Sequence, residues 1–340
     1  MPSGLPLRFT FYALPTPAHV TARARHSNPD PGHSPVGTKL SRHEGAPIHP
    51  ATTAGAAEHL VSRLDSHRVD FGLAATVLLV ISMRTLRKMT RLELEQGLGL
   101  GLFGGAGILL QVDGLAHTAA STSAFLTQGT CLFIPLWLAL QHWRLPSLRV
   151  AAGCALVVAG AAVLAGMDWQ HLSLGRGEWE TIAAAAFFAG QILWLARPEY
   201  EGNNANHFSL VMFATMSAMC VPVAALTSNH LSDLWLAWES WPAVVFLLIL
   251  TLPCTLGAYM MMNYWQRQVT PVQAGLIYCL EPVFTSAYAL FLPGIFSVWA
   301  GVNYPNEILT RSLVIGGAFI LAANLLVLKP EPETKSVANG

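Results

Sequence analysis

One acidic residue, Glu281, lies in the middle of a long apolar run and is followed directly by Pro282. It is the eleventh residue of the 22-residue run 271–292. In a lipid bilayer, an acid at a helix centre costs about 2.5 to 3.5 kcal/mol. Taking up a proton, pairing with a cation or facing water lowers that cost. Glu281 is therefore either a structural hydrogen-bonding group between helices or a binding group for a proton or a solute.

Pro282 adds a second signal beside this carboxyl group. Proline has no backbone N–H, so it frees the carbonyl of Tyr278 from its helical hydrogen bond. A freed carbonyl near the middle of a membrane suits a binding site or a hinge. No Lys or Arg lies in the central part of any apolar run, so the sequence offers Glu281 no built-in basic partner.

Other polar side chains are spread over the remaining apolar runs. Gln191 and Trp194 are three residues apart, and Tyr259 and Asn263 are one helical turn apart. Each alone is typical of interhelical hydrogen bonding or of an interface anchor, but a set drawn from several helices is typical of a cavity lining. With Glu281, the candidate substrate-binding residues are Gln111, Thr127, Gln128, Gln191, Trp194, Tyr259, Asn263, Tyr278 and Asn324.

Motifs of other chemistries are absent from the sequence. There is no HExxH, no GxSxG and no P-loop, and the five cysteines form no CxxC pair. We therefore predict no catalytic residue, no metal ligand and no cofactor. A cavity lined by such residues is typical of a solute transporter. The alternatives are a non-transporting membrane protein and an intramembrane enzyme.

The composition indicates a membrane protein. Hydrophobic residues make up 53% of the 340-residue chain and charged residues 11%, where soluble domains have about 25% charged residues. Lys plus Arg and Asp plus Glu are 19 each, so no basic excess suggests nucleic-acid binding. The expected partners are a small-molecule solute and membrane lipid, and a homodimer stays open.

The apolar runs have the length of membrane-spanning helices. A hydrocarbon core of about 30 Å needs roughly 20 helical residues. Run 71–83 has 13 residues, so it is either a truncated span or a partly inserted helix. The sequence predicts an all-α membrane protein of eight or nine transmembrane helices, with eight spans at 97–117, 122–140, 150–167, 179–196, 208–228, 242–263, 271–292 and 311–328.

Lys and Arg in the polar breaks predict the orientation, because cytoplasmic loops are enriched in them. The side opposite Arg176 and Arg311 carries Arg84, Arg87, Lys88, Arg91, Arg144, Arg149, Arg197, Arg267, Lys329 and Lys335. This side is expected to be cytoplasmic, together with the tail 330–340.

Residues 1–69 form a proline- and histidine-rich segment that we interpret as disordered or non-native.

Two parts of the chain form a weak internal repeat. Ala124 to Thr127 compares with Ala274 to Ile277 at an offset of 150 residues, and Gly153 compares with Gly316 at an offset of 163. Transporters are often built from such repeats.

Two series of glycines in the span 97–117 predict close helix packing. One series has four-residue steps and consists of Gly97, Gly101 and Gly105, and the other consists of Gly104, Gly107 and Gly114.

Four segments resemble the EamA-type transporters of the drug/metabolite transporter superfamily. They lie at 109–140, at 177–198 (GEWETIAAAAFFAGQILWLARP), at 271–290 (PVQAGLIYCLEPVFTSAYAL) and at 306–326. The resemblance implies a ten-helix fold of two inverted repeats, with 70–167 as a truncated first repeat that lacks its first helix and 177–329 as the second. It also implies a secondary transporter, an exporter or permease for a metabolite or drug-like solute. Proton coupling and a bacterial inner membrane are further expectations.

Overall fold

The computed structural model describes residues 53–118, 120–143, 145–166, 174–227, 241–300 and 306–328. Residues 1–52 of the N-terminal segment and the tail 330–340 lie outside the described residues. The described residues contain helices and no strand, as expected for an all-α protein.

Thirteen α-helices follow one another along the described chain. Their bounds are α1 Thr53–Ser82, α2 Arg91–His117, α3 Ala120–Thr127, α4 Thr130–His142, α5 Leu148–Ala165, α6 Arg176–Leu195, α7 Ala205–Thr227, α8 Trp241–Ile249, α9 Ala258–Trp265, α10 Pro271–Tyr278, α11 Glu281–Ala289, α12 Leu292–Ala300 and α13 Arg311–Leu328. A π-helical segment, Leu250–Gly257, joins α8 to α9.

The sequence encodes several of the helix starts through capping residues. Thr90 accepts a hydrogen bond from the Glu93 backbone N–H, and the Glu93 carboxylate accepts one from the Thr90 N–H. Thr270 and Gln273 form the same reciprocal box before Pro271, the first residue of α10. These boxes satisfy N–H groups that a helix start leaves without intrahelical acceptors.

Among the described residues, six helical segments are long and apolar enough to cross a membrane, and a bent pair of segments adds a seventh. The pair, Pro271–Ala289 and Leu292–Ala300, bends by 54°. The first segment covers most of the predicted span 271–292, and the bend lies at the end of that span. Of the predicted spans, α6 (179–196) and the run 71–83 are not among the seven. The six are Arg91–His117, Thr122–His142, Leu148–Ala165, Ala205–Val223, Val244–Gln268 and Arg311–Leu328.

Helix α1 is longer than the apolar run that predicted it. It begins at Thr53, so the boundary drawn at residue 69 falls inside a helix and residues 53–69 are helical. The predicted run began at Phe71, directly after Asp70. The tertiary structure buries Asp70, so this charged residue does not end the packed face of α1.

Helix α2 packs between α6 and α7 through its two glycine series, as predicted. A Cβ atom added at Gly97 or Gly101 would lie 2.5 Å from atoms of α7, and one added at Gly104 would lie 2.6 Å from Gln191 of α6. Because glycine has only a hydrogen atom in place of a side chain, the helix backbones approach closely at each of these contacts. The resulting core includes Phe71, Leu100, Phe208, Phe213 and Met216.

A second core joins α5 and α13 with α4 and α10. It contains Cys131, Val157, Leu276 and Ile320. A third cluster, around Ile134, Ala189, Ile192 and Ala274, lies between the helices of the two cores. Two spans are interrupted beside these clusters, α3–α4 at residues 128–129 and α10–α11 at residues 279–280.

Candidate functional site

A cavity of about 690 Å³ lies between the two large cores. Its walls come from α1, α2, α3, α4, α6, the π-helical segment, α9, α10 and α11. Both helix interruptions open onto it, because Gln128, Cys279 and Leu280 are among its lining residues. A volume of this size accommodates a small-molecule ligand.

Most of the sequence-predicted residues meet at this cavity. Three lie elsewhere: Trp194 packs its ring against Gly99 of α2, Asn263 donates a hydrogen bond to Ser209 Oγ at 2.7 Å, and Asn324 donates one to the Ile320 carbonyl at 3.0 Å. The predicted residues that line the cavity are Gln111, Thr127, Gln128, Gln191, Tyr259, Tyr278 and Glu281.

Glu281 starts helix α11 immediately after the interruption at residues 279–280. Pro282 occupies the first turn of α11, where a missing N–H costs no helical hydrogen bond. Glu281 is half-buried and its side chain lines the cavity. The two-residue turn therefore lies directly beside this carboxyl group, within the apolar segment Pro271–Ala289.

The amide side chains divide between cavity and packing contacts. Gln111 Nε2 donates to Thr127 Oγ1 at 3.3 Å, which ties α2 to α3 at the cavity wall. Gln191 Nε2 donates to the Leu100 carbonyl at 3.3 Å, so this amide also joins α6 to α2. Tyr278 donates its hydroxyl proton to Gln266 Oε1 at 2.9 Å. These residues shape the cavity as well as lining it.

Asp70 is a cavity residue that the sequence interpretation missed. Its side chain is 2% exposed, and Oδ2 accepts a hydrogen bond from Thr255 Oγ1 at 2.8 Å. Asp70, Ala74 and Leu78 follow one another at four-residue steps and are all buried. Extending the apolar face of α1 back by one turn from Ala74 would have pointed to Asp70.

The π-helical segment carries Thr255, the hydrogen-bond donor to Asp70. Pro253 lies within it and has no backbone N–H to give to a regular helical ladder. Thr251 and Thr255 are both buried in this segment and both lie beside the Asp70 carboxyl group. Single π-helical turns inside α-helices are frequent at functional sites.

A second polar cluster ties together the connections at one end of the bundle. The His207 ring bridges Glu93 and Thr85, with Nδ1 2.9 Å from Glu93 Oε2 and Nε2 2.9 Å from Thr85 Oγ1. Glu93 also accepts a hydrogen bond from the Asn204 N–H at 2.9 Å. The Arg- and Lys-rich connection between α1 and α2 is thereby held against the start of α7.

The opposite end of α2 carries the only group of metal-type ligands found among the described residues. Asp113, His117 and Glu180 bring one ligand atom each to within 4.8 Å of one another. Arg176 forms an ion pair with Asp113 and a second one with Glu180 at 2.7 Å. The single guanidinium group contacts both carboxylates and offsets one of their two negative charges, so the arrangement is an ion-pair cluster at a helix end.

No family model and no curated protein matches this sequence. Solved structures do resemble the fold. One of these, titled "Crystal structure of protein", aligns with a TM-score of 0.53 at 16% sequence identity. The alignment covers 81% of this chain and 91% of that chain. At this identity the likeness concerns the fold alone.

Proposed function

We propose that this chain is a secondary transporter that carries a small solute across a membrane by way of the central cavity. The observation that carries the proposal is the pair of helix interruptions at this cavity. They begin at Gln128 and Cys279, 151 residues apart, and the Cys279 thiol lies 4.0 Å from the Gln128 carbonyl oxygen. Secondary transporters bind solutes where discontinuous helices of two repeats meet near the bilayer midplane.

Contacts between α5 and α13 support a two-repeat architecture. Gly160 lies against Gly316, and Gly153 lies against Ala323. An offset of 163 residues relates Gly153 to Gly316 and equally relates Gly160 to Ala323. Exchanging the two repeats therefore converts one contact into the other, which is the pattern expected of a pseudo-two-fold axis.

The helix order fits the EamA-type plan that the sequence motifs suggest. Helices α6, α7, α8–α9, α10–α11 and α13 supply five spans for the second repeat. In the described part of the chain, α1, α2, α3–α4 and α5 supply four spans for the first. On this proposal α1 and α6 complete the bundle through packing, although neither is among the most apolar helices.

Contacts at one end of the bundle support the proposed orientation. The connections near Thr85, Asn203 and Arg267 meet there: His207 joins Thr85, and Arg267 donates to the Asn203 carbonyl at 3.2 Å. These connections carry much of the Lys and Arg excess. We propose that this end faces the cytoplasm, since positive charge favours that side.

Reconstitution into liposomes tests the proposed function. Purified protein is expected to accelerate the flux of at least one solute from a metabolite and drug library. Ala124→Trp fills the cavity and is expected to abolish this flux, because Ala124 lines the cavity. Ala155→Trp, at an exposed position of α5 outside the lining, is the matched control and is expected to keep the flux. Absence of flux for every solute, or full flux in Ala124→Trp, would contradict transport through this cavity.

A further inference from the structure

Asp70 has one satisfied and one unsatisfied oxygen. Thr255 donates to Oδ2, whereas Oδ1 is buried and makes no hydrogen bond among the described residues. The Thr251 hydroxyl lies beside the carboxyl group and likewise makes no hydrogen bond there. A buried polar atom that lacks a partner costs free energy, and an ionised one costs more. Since Asp70 lines the cavity, the missing partner of Oδ1 can be supplied by a molecule that enters it.

A second carboxyl group faces the same space. Glu281, Tyr259 and Asp70 all line this cavity, so the two acids share one neighbourhood. The described lining contains no Lys or Arg. His67 is its one basic residue, and the imidazole stacks on Phe71 with ring centroids 5.7 Å apart. The cavity thus combines two acids with little positive charge of its own.

Aromatic side chains form a large part of the remaining wall. They include Phe71, Phe188, Tyr259, Phe284 and Tyr288. Aromatic faces attract organic cations, most strongly where water is excluded. The aromatic wall and the two carboxyl groups therefore both favour an occupant that is an organic cation.

From this arrangement we infer that the cavity binds an organic cation, with Asp70 as its anchor and Glu281 as a second acidic contact. The ammonium group lies against Asp70 Oδ1 and the hydrocarbon part lies among the aromatic side chains. The inference rests on the proposed function only for its physiological meaning, because it names the class of solute that would be transported. Binding itself can be measured without transport.

Three ligands of similar size and different charge test the inference. Benzylammonium, benzyl alcohol and benzoate are titrated by calorimetry against the full chain in detergent at pH 7. Benzylammonium is expected to bind at least about tenfold more tightly than the other two, a difference of about 1.4 kcal/mol. Equal or tighter binding of benzyl alcohol or benzoate would overturn the inference.

Variants identify the anchor. Asp70→Asn keeps the shape and removes the charge, and it is expected to weaken benzylammonium binding at least about tenfold, as for the loss of a buried charge partner. Asp113→Asn removes an acid that pairs with Arg176 outside the cavity lining, and it is expected to leave the affinity within about twofold of the wild type. Unchanged affinity in Asp70→Asn, or an equal loss in Asp113→Asn, would refute the assignment.

A measurement on the unmodified protein covers the case in which Asp70→Asn fails to fold. Dicyclohexylcarbodiimide reacts with carboxyl groups in apolar surroundings, and mass spectrometry locates the adducts. Benzylammonium is expected to slow labelling at Asp70 and Glu281 several-fold, while benzyl alcohol does not. Labelling of both residues at the same rate with and without the cation would overturn the inference.

The outcomes separate this inference from the proposed function. Cation binding at Asp70 without liposome flux of any solute would retain the site and refute transport. Flux of a solute in liposomes, together with equal benzylammonium affinity in the wild type and Asp70→Asn, would retain transport and refute the cation site.

Discussion

Gly160 of α5 and Gly316 of α13 each occupy the space that the other's side chain would need. A Cβ atom added at Gly160 would lie 2.7 Å from the Gly316 carbonyl oxygen, and one added at Gly316 would lie 2.6 Å from the Gly160 carbonyl oxygen. The two backbones touch without intervening side chains. This contact holds together the helix pair that carries the second core.

Gly316→Ala is predicted to destabilise the protein by about 1 to 3 kcal/mol, since α5 and α13 must separate to admit the methyl group. Thermal unfolding in detergent measures the effect. Gly317→Ala is the matched control on the same helix, because its added Cβ would meet nothing closer than Val283 at 3.6 Å. A lower unfolding midpoint in Gly317→Ala than in Gly316→Ala would contradict this account.

Thr255→Val is predicted to destabilise the protein by about 1 to 3 kcal/mol, because it removes the donor to a buried carboxyl group and keeps the side-chain shape. Unfolding in sodium dodecyl sulfate measures the change. Thr215→Val serves as the control, since the Thr215 hydroxyl donates only to the Val211 carbonyl of its own helix. If both variants unfold alike, the hydrogen bond to Asp70 contributes nothing specific.

Glu281→Gln tests whether this carboxyl group exchanges a proton during transport. Under that hypothesis the variant keeps its fold and a measurable flux, but the flux in liposomes no longer changes with pH. Glu199→Gln is a suitable control because Glu199 is exposed and lies outside the cavity lining. An unchanged pH profile of flux in Glu281→Gln would reduce Glu281 to a structural role.

Glu93→Ala is predicted to cost about 1 to 3 kcal/mol of stability. The variant removes the capping carboxylate of α2 and leaves the buried His207 without its acceptor. Glu201→Ala is the control, because Glu201 is an exposed acid in the connection before α7. Chemical unfolding midpoints compare the two, and equal values would show that the buried cluster adds no stability.

The tail after Lys329 is predicted to be cytoplasmic. The ten-to-two distribution of Lys and Arg between the two sides fixes this orientation. Fluorescent and alkaline phosphatase reporters fused after Gly340 measure it in a bacterial host. A fusion with phosphatase activity and no fluorescence would reverse the orientation.

The sequence by itself determined the helices and much of the cavity lining. Apolar runs of about 20 residues leave a helix as the way to satisfy the backbone in lipid. Glycine steps such as Gly97 and Gly101 determined which faces of α2 could approach a neighbour. Polar residues inside apolar runs, among them Gln111 and Glu281, were expected at a cavity because they are costly against lipid.

Only the tertiary structure decided which polar residues share the cavity. Trp194 and Asn263 satisfy the same sequence criteria as Gln191 and Tyr259, yet they pack against Gly99 and Ser209. Asp70 directly precedes an apolar run in the sequence, and its hydrogen-bond donor in the fold is Thr255, 185 residues away. Periodicity along one helix predicts a face, but the neighbours of that face come from distant segments. The presence of Asp70 and Glu281 at one cavity is therefore a property of the fold.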